Sequence, residues 1–503
     1  MTDEKLAVLD HVPYIDKYVL QAAGINREIL PLRNNRPLGE SMLVFDDKAI
    51  QNLRALGDKN VQGAYISGNE WADIIEGIKN DPELSKLEII GSQQLETSDH
   101  RRYNLNIAYE DPQTNQCIIS YKGTSGKNEW EDNVHGLVES DTQSQTEALA
   151  FFDKYASKEK YKDVIVTGHS KGANKAMYST IVSENANKIS KCVAFDGQGF
   201  SNYFIDKYAD KIDDNGSKIT NYFAKNDFVN VLMKQVDNSK QIPCEQYGIS
   251  SPGEFHSPNS IFMRDEKGRI PVDENNNKVF SFKQLDQKNE NMELIRDFIS
   301  YTMDHADKKE LQRISDYIAP LAGEALGMEN SNKLKLGLNA IKDPGAVLKF
   351  RKIMSDFAKE NNVSKAQFDA VLDQFKVDEK GAQTIDKAKN IVHGVDFIAT
   401  PFVQMTPYEK ADNRPAREKA KVKNDEQPTS STKLGERNAA STSKQASEIS
   451  NKNESGYRTT PMSSGDKVSK ESYSDINSIS NDKQKQKNDL NINVQAQNRK
   501  MAQ

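Results

Sequence analysis

Along residues 1 to about 285, short apolar runs with a two-residue alternation take turns with segments whose apolar positions recur every three to four residues. Ser67-Gly68-Asn69-Glu70 has the form of a capping box and predicts a helix running through WADIIEGI. YNLNIAYED and QCIISYKGT flank the turn residues PQTNQ, which predicts a β-hairpin. The helix TEALAFFDKYASKEK, the strand DVIVT, a helix after Ser170 and the strands KCVAFD and KITNYFAKND follow in that order. Strands that alternate with helices predict an α/β unit with a mainly parallel sheet covered on both faces.

From about residue 290 to 405 the two-residue alternation disappears. ELIRDFISYTMDHADKKELQRISDYIAPLAGEAL and AVLKFRKIMSDFAKENN carry apolar residues at helical spacing, so this stretch reads as an all-α region. Helices of this kind can pack on the preceding domain or bind partner helices, and the pattern serves either role. Beyond Asp412 the chain turns to Ser, Thr, Asn, Lys and Gln with only Tyr457 and Tyr473 as aromatics, a composition expected to be disordered unless bound. The expected organisation is therefore an α/β domain over 1–285, a helical region over 286–408 and a tail over 409–503.

Composition adds exclusions. The 503 residues are 36% hydrophobic and 28% charged, with a net charge of −6, which gives no general drive toward nucleic acid. The mean hydropathy of −0.76 fits a chain with a long polar tail. Cys117, Cys192 and Cys244 are too scattered for a disulfide framework or a zinc motif and read as buried free thiols. MTDEKLAVLDHVPYIDKY lacks the basic start and unbroken apolar core of a Sec signal, and no run of about 18 apolar residues occurs. The expected location is the cytoplasm, or outside the cell by a route that needs no cleaved signal.

The candidate chemistry centres on Gly168-His169-Ser170-Lys171-Gly172, a G-x-S-x-G pattern between an apolar strand and a helix-compatible segment. In that context the serine sits on a sharp strand-to-helix turn with its hydroxyl exposed, and the small residues Gly168 and Gly172 permit the bend. The alternative is an ordinary polar turn residue. The backbone N–H of Lys171, at the helix start, would face a developing oxyanion.

A serine nucleophile needs a base and an orienting carboxylate, which in this architecture follow in the order Ser, Asp or Glu, His. Of the histidines after Ser170, His305 and His393 lie in the helical region, whereas His256 sits in the loop SSPGEFHSP beyond the strands and is the base of choice. Asp227, ending the strand two beyond the nucleophile, is favoured as the acid, with Asp196 as the rival. Thr124, after Tyr121-Lys122-Gly123, is either a second oxyanion donor or a turn residue. Trp130 packs over the site or into the core, and His169 reads as a packing or hydrogen-bonding residue. Lys171 is expected to matter through its backbone rather than its ammonium.

The segments YKGTSGKNEWEDN, GHSKGANKA, FDGQGF and KNDFVNVL, in that order, resemble a bacterial α/β-hydrolase family found mainly in Firmicutes and related to the class 3, fungal-type lipases. EKLAVLDHVPYID echoes its N-terminal pattern, so the resemblance spans about residues 5 to 262. It implies Ser170 as nucleophile, Asp227 as acid, His256 as base and Thr124 at the oxyanion hole, acting on acyl lipid at a membrane surface with no metal or organic cofactor. Lys122 stands where the family often has Arg, Gln198 where it has Pro, and Ala173 where it has a second Gly; none removes a catalytic group. A thioesterase, an acyltransferase or an inert binding protein are the alternatives.

The order of lipase-like domain, helical region and polar tail is also similar to lipases exported by the type VII system of Gram-positive bacteria, and Tyr408-Glu409-Lys410-Ala411-Asp412 matches that system's Y-x-x-x-D/E signal. This second resemblance implies small helical export partners, an immunity protein and a toxin-like role.

Overall fold

A computed structural model describes residues 1–374 apart from 62–64, 97–101, 125–131, 134, 250–251 and 316–343, together with 376, 379, 382, 385, 386 and 389. Trp130, His393, the segment Tyr408 to Asp412 and the tail 409–503 lie outside the described residues.

Ten strands are present among the described residues: β1 (Arg36–Pro37), β2 (Asn60–Val61), β3 (Ile66–Ser67), β4 (Glu88–Glu96), β5 (Arg102–Glu110), β6 (Cys117–Tyr121), β7 (Val164–His169), β8 (Ile189–Phe195), β9 (Ile219–Ala224) and β10 (Lys240–Cys244). β2 and β3 pair with each other, and the other eight form one sheet in the order β1-β4-β5-β6-β7-β8-β9-β10. The β5–β6 hairpin pairs antiparallel in the register Ala108 to Ile119, while β6 through β10 are parallel. This is a mainly parallel α/β-hydrolase sheet with antiparallel strands at one side.

Why the sheet is covered twice follows from the alternation of side chains along each strand. On one face Ile118, Ile165, Val193 and Phe195 meet the N-terminal helices through Leu6, Leu9, Ile75 and Trp71. On the other, Ile119, Tyr121, Val166 and Ala194 meet the crossover helices Gln143–Ala156 and Lys171–Val182 through Phe152, Ala173 and Met177. The expected capping box is present: Ser67 accepts from the N–H of Glu70, whose carboxylate accepts from the Ser67 N–H, opening the helix Gly68–Asn80. The helix expected from Thr146 starts earlier, at Gln143, because Thr142 and Gln145 form a second capping box, and it ends at Ala156. All three cysteines are free and buried.

One ionisable group is sealed into the N-terminal face. Asp10 accepts hydrogen bonds from Ser120 Oγ and Thr167 Oγ1, each at 2.7 Å, so it ties the first helix to β6 and β7. Burial pushes its carboxyl up to about 8 against the pull of those two hydroxyls.

The helical region begins with the helix Glu290–His305 and continues through Pro344–Glu360 and Lys365–Asp373. Phe298, Tyr301, Phe350, Phe357, Phe368 and Val371 form its own small core. The long helical stretch expected from residue 293 onward is interrupted after His305, where the chain leaves the helix at Ala306 with an extended backbone. The first helix also lies against the α/β domain, through Met303 beside Met233 and through an ion pair of 2.7 Å between Lys234 and Asp304. Of the two roles expected for this region, packing on the preceding domain describes its first helix. No helix among the described residues is long and apolar enough to cross a membrane.

Candidate active site

At the end of β7 the chain bends through Ser170, whose φ of 62° and ψ of −127° place a non-glycine residue in a costly backbone region. The bend is possible because its neighbours have no side chain. A Cβ on Gly168 would lie 2.5 Å from the backbone of Gly172, and one on Gly172 only 2.0 Å from the carbonyl oxygen of Tyr121. The Ser170 N–H donates to Phe195 O, which locks the bend to β8. The helix hydrogen bonds begin with Asn174 N–H donating to Ser170 O, so the N–H groups of Lys171, Gly172 and Ala173 have no carbonyl partner within the helix. Such a terminus favours negative charge.

The structure brings Ser170, His256 and Asp227 together. His256 Nε2 lies 2.7 Å from Ser170 Oγ, and His256 Nδ1 lies 2.7 Å from Asp227 Oδ1. With the Nδ1 proton donated to the carboxylate, Nε2 is left to accept the serine proton. His256 ends a short 3₁₀ turn, Pro252–His256, beyond β10. That turn is pinned to the segment around β2 and β3, where Ser257 Oγ donates to Tyr65 O and Asn60 Nδ2 donates to Glu254 Oε1. Asp227 follows β9 and is buried; its two oxygens also accept from the N–H groups of Val229 at 3.2 Å and Asn230 at 2.5 Å. These bonds hold the carboxylate in one orientation.

Asp196, the other carboxylate considered for the acid, is placed differently. One of its oxygens accepts from Ala224 N–H, and the other lies 3.7 Å from His169 Nε2, beyond hydrogen-bond length. Burial, with Asp227 nearby, pushes the Asp196 carboxyl well above its ordinary range. His169 is buried with its Nδ1 2.9 Å from Tyr14 Oη, and its ring lies 4.8 Å from that of His256. Burial and the adjacent His256 push His169 well below its usual range, so it is neutral. His169, Asp196 and His256 bring one ligand atom each to within 4.8 Å. Both nitrogens of His256 are already engaged by Ser170 and Asp227, so a cation there would compete with the triad geometry.

Thr124 follows the Gly123 turn, and its Oγ1 accepts from Asn133 Nδ2 at 3.0 Å. Asn133 Oδ1 in turn accepts from Gln198, the residue at the position where the resembling family has Pro. Gly123 is packed under Tyr14: its N–H donates to Tyr14 Oη at 3.1 Å, and a Cβ there would stand 2.3 Å from that oxygen. Lys171 adds a contact that the sequence did not assign. Its fully buried ammonium lies 2.8 Å from Asp132 Oδ2. Asp132 also accepts from Thr142 and Ser144 at the head of the next helix. Burial alone would lift the Asp132 carboxyl, but the Lys171 ammonium and the Ser144 bonds hold it down to about 2. The expectation that Lys171 matters through its backbone rather than its ammonium is thereby incomplete, since the ammonium fastens the elbow helix to the loop before residue 142.

Tyr14, Asp132, Asn133 and Asn230 are the residues around the site that sequence reasoning did not single out. The motifs YKGTSGKNEWEDN and KNDFVNVL contain the last three without separating them from their neighbours, and only the echo of an N-terminal pattern around Tyr14 pointed to that residue.

A family model described as Mbeg1-like matches residues 87–288, which takes in the sheet from β4 to β10 and Ser170, Asp227 and His256. No curated protein matches the chain. Among solved structures, the chain is similar to M37 lipase at 15% identity and a TM-score of 0.23, over 39% of this chain and 70% of that one. It is also similar to the Lip2 lipase of Yarrowia lipolytica at 13% identity and a TM-score of 0.27, over 50% of this chain and 80% of that one. By its sheet and its strand–serine–helix bend, the chain has an α/β-hydrolase fold.

Proposed function

We propose that the protein is a serine carboxylic ester hydrolase acting on acyl lipids, foremost phospholipids or lysophospholipids. The observation that carries this reading is the continuous set of two 2.7 Å contacts from Ser170 Oγ through His256 to Asp227. Ser170 Oγ attacks the ester carbonyl as His256 Nε2 takes its proton, and the Asp227 carboxylate steadies the imidazolium. The backbone N–H groups of Lys171 and Thr124 receive the oxyanion, where one such donor is worth about 3 kcal/mol of transition-state stabilisation. His256 returns its proton to the leaving alcohol, and water then releases the fatty acid by the same steps in reverse order.

The lipid substrate class rests on the sequence resemblance to class 3 lipases. Export by a type VII-like route, with small helical partners and an immunity protein, rests on the resemblance in domain order and on the Tyr408 to Asp412 motif. A protein retained in cells that possess an intact type VII system would remove that part of the reading.

Fatty-acid release from defined phospholipid and lysophospholipid vesicles, compared between wild type and Ser170→Ala, tests the activity. Release that disappears with Ser170 supports a lipase, and the products name the bond cut. Release unchanged in Ser170→Ala would overturn the assignment. Turnover confined to soluble thioesters would move the substrate class to a thioesterase.

A further inference from the structure

The acid of the triad is held from outside the α/β domain. Asp227 sits in a tight turn whose shape depends on Asn230, since Asn230 N–H donates to Asp227 Oδ2 at 2.5 Å. The Asn230 side chain is fully buried and held from two sides. Its amide nitrogen reaches Gly197 O at 3.5 Å after β8, and its amide oxygen accepts from Arg296 Nη2 at 2.6 Å. Arg296 belongs to the helix Glu290–His305, the first of the helical region, and its other terminal nitrogen pairs with Glu293 at 2.7 Å. A second bond repeats the attachment one residue before the acid: Asn289 Nδ2, at the cap of the same helix, donates to Asn226 Oδ1 at 2.5 Å. The turn that carries Asp227 is thus bracketed by two side chains of a segment that begins after the residues matched by the Mbeg1-like model.

We propose that Arg296 is a positioning residue for the Asp227 carboxylate, which makes the first helix of the C-terminal region a working part of the active site. This rests on the reading of Ser170, His256 and Asp227 as the triad. A guanidinium suits this role because its planar fork donates to Asn230 and Glu293 at once, so the Asn230 amide is fixed in one orientation. Without it, Asn230 keeps its backbone but loses the side-chain anchor that sets the turn, and Asp227 drifts relative to His256. Displacements of this order reduce turnover while leaving substrate binding largely intact. It follows that whatever binds or distorts the helical region acts on the acid of the triad.

The test uses the full-length protein, four single variants and one double variant. Arg296→Met is expected to lower kcat by about tenfold with KM changed by less than about twofold, and Arg296→Lys, which keeps one donor for Asn230, to recover part of that loss. Lys234→Met cuts the ion pair to Asp304 at the other end of the same helix and is expected to stay within about twofold of wild type. In an Asp227→Ala background the Arg296→Met effect is expected to vanish, because there is no carboxylate left to position.

A readout independent of turnover is the low-field NMR signal of the His256 Nδ1 proton, assigned by its loss in Asp227→Ala. That signal is expected to broaden or shift in Arg296→Met and to persist in Lys234→Met. An Arg296→Met protein with wild-type kcat and an unaltered signal would overturn the proposal, and so would an equal loss with and without Asp227, the mark of general destabilisation. Wild type that hydrolyses no ester would instead sink the hydrolase reading, while the NMR comparison would still decide whether Arg296 holds Asp227.

Discussion

Ser170 and Asp227 are held in opposite ways. Ser170 is bent by its immediate sequence, two glycines with a strand before them and a helix after them, and one backbone bond to Phe195 O then ties the bend to β8. Asp227 is held by a turn whose Asn230 is anchored by partners distant along the chain, Gly197 on one side and Arg296 on the other. A locally built site tolerates change elsewhere but no change within its few residues, whereas a remotely built one yields to many substitutions, each with a smaller effect.

The largest effect expected comes from removing the acid itself. Asp227→Ala should lower kcat by about a thousandfold or more while the protein remains folded, measured by steady-state hydrolysis beside a thermal melt. Arg296→Met, acting on the same loop from a distance, should cost far less, and equal losses in the two variants would erase the contrast between acid and support.

At the elbow the contrast sharpens into stability. Gly172→Ala places a Cβ 2.0 Å from the Tyr121 carbonyl, in backbone that has no flexible end to yield. Chemical denaturation should show a loss of about 3 kcal/mol or more, together with loss of turnover. A stable, active Gly172→Ala protein would show that the bend does not need the close approach of β6.

The supports of the elbow respond to pH in opposite senses. Asp132 is held down to about 2 in the folded protein by Lys171 and Ser144. Its contribution is therefore present above its unfolded value of about 4 and lost as the pH falls toward 2. Asp132→Asn should destabilise the protein by about 2 kcal/mol at neutral pH, and the gap to wild type should close in acid. A gap independent of pH would mean that the Lys171 pair is not what holds the loop.

Asp10 is raised to about 8 by burial. Its contribution is complete below about pH 4 and is lost as the pH rises through 8. Asp10→Asn, which keeps the shape without the charge, should match wild type in acid and gain on it by about 1 kcal/mol or more near pH 8. Parallel stability curves for the two proteins would contradict the buried, protonated carboxyl.

The same division explains what the chain discloses before folding. β5 to β9 and the elbow are legible because each is written in contiguous residues with a clear period, and the order of strands was enough to bring Asp227 and His256 forward. β4 and β10 escape notice for local reasons. The second half of β4 reads SQQLE and carries little apolar signal, and β10 is five residues long with Pro243 inside, tolerated because it closes the sheet. Tyr14 is 155 residues from His169, and Arg296 is 66 residues from Asn230. No periodicity encodes such pairs, so the supports of the site became visible only with the chain folded.

The most direct test of the account is covalent labelling with a fluorophosphonate probe, followed by peptide mass spectrometry. One adduct on Ser170, absent from Ser170→Ala and strongly slowed in Asp227→Ala, is the result expected of a nucleophile activated through His256. Failure of the folded wild type to label, or labelling that persists in Ser170→Ala, would contradict the central claim that this bend carries a working serine.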